Sequence, residues 1–249
     1  MDDEGLLRAF LKDFASIATP KILIHGGGKI ATKIGDQLGI VSNYVNGRRV
    51  TDQPTRELVT MVYGGLINKQ IVASLQVLHC NAIGVTGADA NLIRATKRPV
   101  GEIDYGFVGD INPESVNSTF LYFLLKQNVT PVFAPLTYAD GQMLNTNADT
   151  IASVLAISLS KHFDTRLIFC FEKKGVLRDV NDPQSVIRQL NEVTYQQLQS
   201  RGAFADGILP KLENAFSAIR SGVKEVLIGE AADLLINTRE ETEGTLIKA

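Results

Sequence analysis

The chain has 249 residues, of which 45% are hydrophobic, and its formal net charge at pH 7 is −2. This length allows one large domain or two lobes with a sizeable core. The nearly balanced charge excludes a polybasic surface for nucleic acid or membrane. No apolar stretch approaches the ~20 residues of a membrane span, and the acidic start is unlike a signal peptide. Two cysteines beside apolar runs are typical of a reducing compartment. The sequence therefore predicts a cytoplasmic protein with neither nucleic acid nor membrane as partner.

Helical and strand patterns alternate along the chain. Strands separated by helices predict a mainly parallel sheet with helices on both faces, and two hairpins add antiparallel strands on one side. In chain order the elements are a helix at 6–17, a strand at 21–25, a glycine loop and helix, a hairpin at 44–50, a long helix at 54–79, a strand at 82–86, a helix at 115–127, a strand at 130–134, a hairpin at 140–141, a helix from 147 or 149 to 161, a strand at 166–171, a helix from 210 to about 221 and a strand at 225–228.

Three glycines, Gly26, Gly27 and Gly28, follow the first predicted strand. Bare backbone N–H groups beside a helix start bind anions without help from side chains. The segment fits neither the G-x-x-x-x-G-K-[ST] phosphate loop nor the G-x-G-x-x-G dinucleotide loop. A tight strand-to-helix turn explains the glycines equally well. His25, at the end of the strand, is predicted to have a satisfied ring rather than to act as a base.

Arg48 and Arg49 follow Asn46-Gly47, a pair suited to the positive φ angles of a type I′ turn. Successive side chains on a strand point to opposite faces, so one arginine can enter a site while the other is solvated. A guanidinium is a natural partner for a substrate carboxylate through paired hydrogen bonds. An arginine beside a turn is also often simply exposed, and the hairpin by itself leaves both interpretations open.

Polar groups crowd a predicted helix start at Asn145, Asn147 and Asp149. Helix capping explains one of the three. Asp149 can orient lysines, which matters for phosphoryl transfer because that reaction depends on positioning and charge neutralisation. Lys211 follows a proline at another helix start and offers a cation beside positive backbone dipoles, although a solvated lysine is the simpler alternative. Together with the glycines and the arginine, these groups predict an enzyme that phosphorylates a small acid.

The ordered segments HGGGK, VNGRRVTD, MLNTNADTIA, GILPKLENA and EGTLI resemble the amino acid kinase family from about Leu6 to Ile247. Within it, the likeness is greatest to members that phosphorylate an acylated glutamate. The resemblance implies an α/β fold, a three-layer α/β/α sandwich with a mainly parallel central sheet and two lobes. Residues 1–164 would bind the acylglutamate and form the dimer, and residues 165–249 would bind the nucleotide.

The resemblance also implies roles for individual residues. Arg49 would grip the α-carboxylate of the substrate, Asp149 would organise catalytic lysines, and Lys211 would stabilise charge on the ATP side. Catalytic roles fall to Lys211, Asp149 and Gly27. Substrate binding falls to Gly26, Gly27, Gly28, Arg49, Asn145 and Asn147. Nucleotide binding falls to Glu172, Lys173, Gly175 and Lys211. No residue is predicted to ligate a metal directly, and no spacing typical of metal ligands is present.

The implied reaction transfers a phosphoryl group from ATP, with Mg²⁺, to the γ-carboxylate of N-acetyl-L-glutamate, giving an acyl phosphate in arginine biosynthesis. No general base is required, because a carboxylate is already ionised at neutral pH. The helix at 54–79 matches the helix that pairs across the family's homodimer. In the family, arginine inhibition accompanies an extra N-terminal helix that forms hexamers. None is visible before Leu6, so the sequence predicts a plain dimer that is insensitive to arginine.

The sequence departs from the family in two places. Members begin with a strand that carries a Lys and a Gly-Gly pair, for which this chain has no counterpart, and we expect a truncated start. In the nucleotide lobe, Glu172 stands in a segment where the family has an aspartate pattern, and we expect nucleotide binding to persist, with Lys173 or Lys174 near the phosphates.

Three alternatives remain open from the sequence. If a cation of the trio Arg94, Lys97 and Arg98 reaches the acyl pocket, a charged acyl group makes N-succinylglutamate the substrate, because a buried carboxylate needs a paired cation. The chain can also be a non-catalytic module that binds acylglutamate. Kinases of carbamate, aspartate, glutamate or UMP share the fold, but Arg49 and the segment from Asn145 to Asp149 favour acylated glutamate.

Overall fold

The computed structural model describes residues 3–179, 181–200 and 208–248. The chain divides into two compact units, one ending at Ile151 and the other beginning at Ala152. This division falls 13 residues before the lobe boundary predicted after position 164. The assignment of acylglutamate to the first lobe and of nucleotide to the second stays a prediction.

The described elements alternate between helix and strand for most of the chain. The α-helices are α1 (Glu4–Ser16), α2 (Gly28–Gln37), α3 (Gln53–Val59), α4 (Asn68–Val77), α5 (Ser118–Lys126), α6 (Ala148–Leu159), α7 (Glu192–Ser200), α8 (Leu209–Arg220) and α9 (Leu234–Asn237). The strands are β1 (Leu23–Ile24), β2 (Tyr44–Val45), β3 (Arg48–Arg49), β4 (Ala82–Val85), β5 (Thr96–Lys97), β6 (Gly109–Asp110), β7 (Thr130–Phe133), β8 (Leu136–Ala139), β9 (Gln142–Asn145), β10 (Arg166–Phe171), β11 (Gln189–Leu190), β12 (Glu225–Glu230) and β13 (Thr245–Ile247).

In the first unit, a three-stranded parallel sheet has the order β1-β7-β4. All four residues of β7 are buried, as expected for the central strand of a sheet covered on both faces. Strands β2 and β3 form one antiparallel hairpin, and β8 and β9 form another. Asn46 and Gly47 have φ angles of 51° and 72°, which fits the predicted I′ turn.

In the second unit, a four-stranded sheet has the order β10-β12-β13-β11. Strands β10 and β12 are parallel over six residue pairs, from Arg166 with Glu225 to Phe171 with Glu230. Strand β13 runs antiparallel to β12. Apolar residues of α8, among them Leu212 and Phe216, pack with those of the strands in one hydrophobic cluster. The predicted α/β class with mainly parallel strands is confirmed.

The long helix predicted at 54–79 is a continuous helical stretch over Gln53–Val77. Its middle is a π-helix over Thr60–Ile67, called here the π segment. Asp52 caps the stretch by accepting a hydrogen bond from the N–H of Thr55 at 2.9 Å. By length and composition this stretch could cross a membrane, contrary to the sequence expectation, but 44% of its most apolar window is buried within the structure. Its buried face is what a core helix requires.

Sequence patterns did not predict the pair β5 and β6, helix α7, or strands β11 and β13. These strands are two or three residues long, too short for an alternating pattern to be recognised. The π segment was not predicted either. Gly64 and Gly65 lie within this segment, and we expected them to weaken the helix and to pack closely against another backbone. The structure instead places Gly64 against a side chain of the same unit, since a Cβ there would come 3.3 Å from Leu136 Cδ1.

Candidate active site

Arg49 is the most enclosed cation among the predicted site residues, with 6% of its surface exposed. Its Nη2 donates to the backbone oxygen of Gly28 and to Thr32 Oγ1, both at 2.9 Å. Its Nη1 donates to Ser42, and the guanidinium lies 4.7 Å from the centroid of the Tyr44 ring. Arg49 is therefore fixed against the first turn of the helix that follows the glycine loop.

The side chains of the two hairpin arginines point to opposite faces of the strand. Arg49 is buried and Arg48 is exposed, as alternation along a strand requires. The expected opposite orientation of the two arginines is confirmed, and the entry of Arg49 into a substrate site stays a prediction. Thr32, Ser42 and Tyr44, which hold Arg49, were not identified from the sequence, because no local pattern connects them to it.

The glycine loop is packed tightly at its middle residue. A Cβ added to Gly27 would lie 2.5 Å from Ile67 Cδ1 and 3.0 Å from Tyr63 Cδ1, so the π segment presses on this glycine. At Gly26 and Gly28 a Cβ would meet nothing within 4 Å. Helix α2 begins at Gly28, and the first N–H groups of a helix are the ones that can bind an anion.

His25 is buried beneath this loop and both of its ring nitrogens are bonded. Nδ1 lies 2.7 Å from the Gly26 carbonyl oxygen and therefore donates to it. Nε2 lies 3.2 Å from Asn68 Nδ2 and accepts from it, while the same amide donates to the Val132 carbonyl at 2.9 Å. Burial lowers the pKa of His25 to about 4. Both ring nitrogens have a hydrogen-bond partner, as the sequence predicted.

Tyr63 lies between the glycine loop and the arginine. Burial raises the pKa of its hydroxyl, and the nearby Arg49 opposes that rise. Gly27 touches the edge of the same ring. Tyr63 could not be identified from local patterns, because a tyrosine within an apolar helical stretch is typical of a core residue.

Asn145 ends β9 and joins three segments of the first unit. Its side-chain Nδ2 donates to Thr51 Oγ1 at 3.0 Å, and its backbone N–H donates to the Phe107 carbonyl at 2.9 Å. The N–H of Phe107 in turn donates to the Thr51 carbonyl at 2.7 Å. Thr51 directly follows the hairpin of Arg49, so Asn145 and Arg49 are connected through hydrogen-bonded backbone.

Asn147 caps α6, since its Oδ1 accepts from the N–H of Thr150 at 3.0 Å. Asp149 lies in the first turn of the same helix. Capping thus accounts for one of the three polar residues, as the sequence suggested, and the role of Asp149 stays a prediction.

In the second unit, Lys211 stands in the first turn of α8. Its Nζ lies 5.4 Å from the centroid of the Phe169 ring and 5.8 Å from that of Phe171. Both phenylalanines are on β10, at alternating positions that share one face of the strand. The ammonium is therefore held near the carboxyl end of β10, where ligands of open α/β sheets commonly bind.

The remaining predicted nucleotide residues follow β10 directly. Glu172 and Lys173 are exposed in the turn after the strand, and Gly175 is buried. A Cβ on Gly175 would lie 2.7 Å from Thr245 Oγ1, so packing against β13 is sufficient to explain this glycine. Nucleotide binding by these three residues stays a prediction.

Across the described ranges, no group of three or more His, Cys, Asp or Glu side chains is arranged to hold a metal ion. Mg²⁺ in phosphoryl-transfer sites is commonly bound through one or two carboxylates together with substrate phosphates and water.

The model of the amino acid kinase family matches residues 1–230. Two relatives named acetylglutamate kinase support this match: that of Parabacteroides distasonis is 54% identical, covering 94% of this chain and 91% of the relative, and that of Bacteroides fragilis is 57% identical, covering 92% and 87%. The chain belongs to the amino acid kinase family. A third relative of the same name, from Bacteroides thetaiotaomicron, is 53% identical over all of this chain and 94% of its own length.

Solved structures agree with the fold. A crystal structure of a Streptococcus mutans protein is 26% identical with a TM-score of 0.75, covering 96% of this chain and 88% of that one. An N-acetylglutamate synthase from Neisseria gonorrhoeae has a TM-score of 0.80 at 23% identity, covering 99% of this chain and 57% of that one. At this identity the second likeness concerns the fold alone.

Proposed function

We propose that this chain catalyses the ATP-dependent phosphorylation of the γ-carboxylate of N-acetyl-L-glutamate, forming an acyl phosphate in arginine biosynthesis. The observation that carries the proposal is identity of 53–57% to relatives named acetylglutamate kinase, over 92–100% of the chain. The buried, hydrogen-bonded Arg49 beside the glycine loop supports it, since that arrangement suits a small substrate with several carboxylates.

Arg49 is proposed to bind the α-carboxylate of the substrate. A guanidinium has five N–H donors, and the contacts to Gly28, Thr32 and Ser42 fix its plane. An orientation set before the substrate arrives reduces the conformational entropy lost on binding. Asn145 and Asn147 are proposed to hold the backbone and acylamide of the substrate.

The reaction needs two anions, a carboxylate and the terminal phosphate of ATP, to be held together. The substrate carboxylate is ionised at neutral pH and attacks without a general base. Backbone N–H groups of Gly26, Gly27 and Gly28 are proposed to neutralise part of the transferring charge, as preorganised donors do in transition states. Mg²⁺ bound with ATP would neutralise phosphate charge.

Lys211 is proposed to stabilise the charge that develops on the nucleotide side, and Asp149 to orient catalytic lysines. The contacts of Lys211 with two aromatic rings limit its motion. Glu172, Lys173 and Gly175 are proposed to contact the nucleotide. A cytoplasmic location, where ATP and free amino acids are available, is part of the same proposal.

A homodimer through the helix at 54–79 is also proposed. The helical stretch Gln53–Val77 leaves Met61, Leu66 and Val77 exposed, and exposed apolar side chains on one helix favour a protein contact. The long helix also contains the π segment that contacts Gly27. A dimer formed through this helix would therefore help to hold the π segment against the glycine loop.

The activity is tested by trapping acyl phosphate with hydroxylamine after incubation with ATP, Mg²⁺ and N-acetyl-L-glutamate. We expect turnover that falls by about 10²–10³-fold in Lys211→Met, the range for loss of one transition-state donor. Lys224→Met is the matched control, because Lys224 is exposed and paired with Asp164. Calorimetric binding of N-acetyl-L-glutamate without turnover would instead identify a non-catalytic acylglutamate-binding module.

A further inference from the structure

His25 and Asn68 are polar side chains buried beneath the glycine loop, with 2% and 1% of their surfaces exposed. His25 follows β1, and Asn68 begins α4 directly after the π segment. The two side chains meet where His25 Nε2 lies 3.2 Å from Asn68 Nδ2. Because buried polar groups are normally hydrogen-bonded, the donors and acceptors around this pair determine how each side chain is oriented.

The surroundings of Asn68 fix which end of its carboxamide faces the ring. Its Nδ2 donates to the Val132 carbonyl oxygen at 2.9 Å, and its Oδ1 accepts from Lys69 Nζ at 3.2 Å. The reversed amide would place an oxygen against the Val132 carbonyl and an NH₂ group against the ammonium, and both contacts would be repulsive. The second N–H of Nδ2 is therefore directed at His25 Nε2.

Strand β4 leaves the space that this arrangement needs. A Cβ on Gly84 would lie 1.9 Å from Asn68 Oδ1, so the carboxamide occupies the place of a side chain at that position. The Gly84 carbonyl accepts from Lys69 Nζ at 2.9 Å, which holds the ammonium beside the amide oxygen. Asn68 thus lies against Gly84 of β4 and is bonded to Val132 of β7, and these strands are neighbours in one sheet. The sheet therefore fixes the position of the carboxamide.

The orientation of Asn68 determines the tautomer of His25. A ring nitrogen that faces a donor has to accept, so Nε2 carries no proton and the proton of the ring is on Nδ1. That N–H donates to the Gly26 carbonyl oxygen at 2.7 Å. The peptide unit between Gly26 and Gly27 is trans and planar, so its C=O and N–H bonds point in opposite directions. Holding the Gly26 oxygen toward the buried ring therefore directs the Gly27 N–H away from the ring.

We propose that His25 and Asn68 are positioning residues for the reaction: Asn68 selects the ring tautomer, and His25 holds the Gly26–Gly27 peptide with its N–H directed at the transferring phosphoryl group. This inference rests on the proposed function, in which the Gly27 N–H neutralises part of the transferring charge. A donor that is oriented beforehand costs no reorganisation when that charge develops. His25 would act through the glycine loop without touching the substrate.

Two substitutions at position 25 separate this role from a contribution to stability alone. The amide nitrogen of an asparagine is bonded to Cγ, as His25 Nδ1 is, and can still donate to the Gly26 carbonyl. The amide nitrogen of a glutamine lies one bond farther out, nearer the position of Nε2. We expect His25→Gln to lower kcat by about tenfold or more, part of the effect of losing one transition-state donor, with KM for N-acetyl-L-glutamate within about twofold. His25→Asn should retain kcat within about threefold.

Both variants replace the ring with an amide, so both are expected to lose stability. Leu121→Ala, which opens a cavity at a buried residue of α5, is the control for destabilisation alone and should leave kcat within about twofold. Hydroxylamine trapping measures kcat and KM below the unfolding temperature of each variant. An equal fall in kcat for His25→Gln and His25→Asn, or no fall in either, would overturn the inference.

Nuclear magnetic resonance tests the same geometry without turnover. The sequence has three histidines, and ring ¹⁵N spectra at neutral pH should show His25 protonated on Nδ1. Protonation on Nε2 would overturn the inference. The Gly27 amide resonance is then followed while N-acetyl-L-glutamate, Mg²⁺ and the β,γ-imido analogue of ATP are added. It should shift in the unaltered protein and in His25→Asn, but much less in His25→Gln.

The amide measurement also distinguishes the two possible failures. The expected pattern of shifts without turnover by the unaltered protein would count against the proposed kinase activity and in favour of this role for His25. Turnover by the unaltered protein together with equal shifts in all three proteins would leave the kinase activity in place and overturn the role of His25.

Discussion

At the scale of single residues, Arg49 combines a full charge with nearly complete burial. Its hydrogen bonds reach the backbone of Gly28 and the hydroxyls of Thr32 and Ser42. A side chain held in this way contributes both to local stability and to ligand binding, and a lysine in its place would keep the charge but lose the planar set of donors.

We therefore expect Arg49→Lys to lower kcat/KM for N-acetyl-L-glutamate by about tenfold or more, mainly through KM, because a charged hydrogen-bonding pair is weakened. Arg48→Lys, on the exposed side of the same hairpin, should leave kcat/KM within about twofold. Steady-state kinetics at saturating ATP measures both. Equal effects of the two substitutions would remove Arg49 from the substrate site.

His25 shows how burial changes the pKa of a side chain. Its pKa is lowered from 6.5 to about 4, chiefly because burial disfavours the charged ring. Between these values the unfolded chain binds more protons than the folded one. The stability that the neutral ring provides is thus complete above about pH 6.5 and is lost as the pH falls toward 4.

This linkage predicts that His25 accounts for a fall of about 3 kcal/mol in the free energy of unfolding between pH 7 and pH 4. Urea unfolding at several pH values measures it. His25→Gln should be less stable at pH 7 but less sensitive to pH, whereas His79→Gln, at an exposed histidine, should retain the dependence of the unaltered protein. An unchanged dependence in His25→Gln would refute the assignment.

At the scale of elements, the π segment and the glycine loop are packed as one unit. Ile67 and Tyr63 fill the space in which a side chain at position 27 would lie. π-Helical turns widen a helix locally and are often found at functional sites. Here the widened turn supports the loop whose N–H groups are proposed to hold the phosphoryl group.

Gly27→Ala should consequently destabilise the protein by about 1–3 kcal/mol, the usual result of overpacking, and should lower kcat as well. Gly26→Ala is the matched control for stability, because a Cβ at that position has open space around it. Thermal unfolding compares the two. Equal stability of both variants would mean that the π segment can shift at little energetic cost and does not fix the loop.

At the scale of the whole molecule, the proposed dimer depends on the exposed apolar residues of Gln53–Val77. Leu66→Glu should convert a dimer into a monomer in sedimentation velocity, because a buried, unpaired carboxylate is costly at an interface. Val41→Glu, at an equally apolar exposed position away from this helix, should remain dimeric. A hexamer in the unaltered protein, or inhibition by arginine, would contradict the predicted plain, arginine-insensitive dimer.

The sequence by itself determined the features that depend on neighbouring residues. Asn46-Gly47 fixes the hairpin because both residues accept positive φ angles, and apolar runs flanked by turn residues determine strands such as Arg166–Phe171. The same local logic separated Arg48 from Arg49 and identified Asn147 among the possible caps.

Tertiary structure alone decided which side chains meet. The contact of His25 with Asn68 spans 43 residues, and that of Arg49 with Gly28 spans 21. Arg56 and Lys97 each lie over the Phe107 ring, although the three residues come from separate segments. Local backbone preference carries no information about such pairs, because their proximity follows from how helices and strands pack to bury apolar surface. The fold class and the main motifs were therefore predictable, whereas the contacts that set charge and specificity were not.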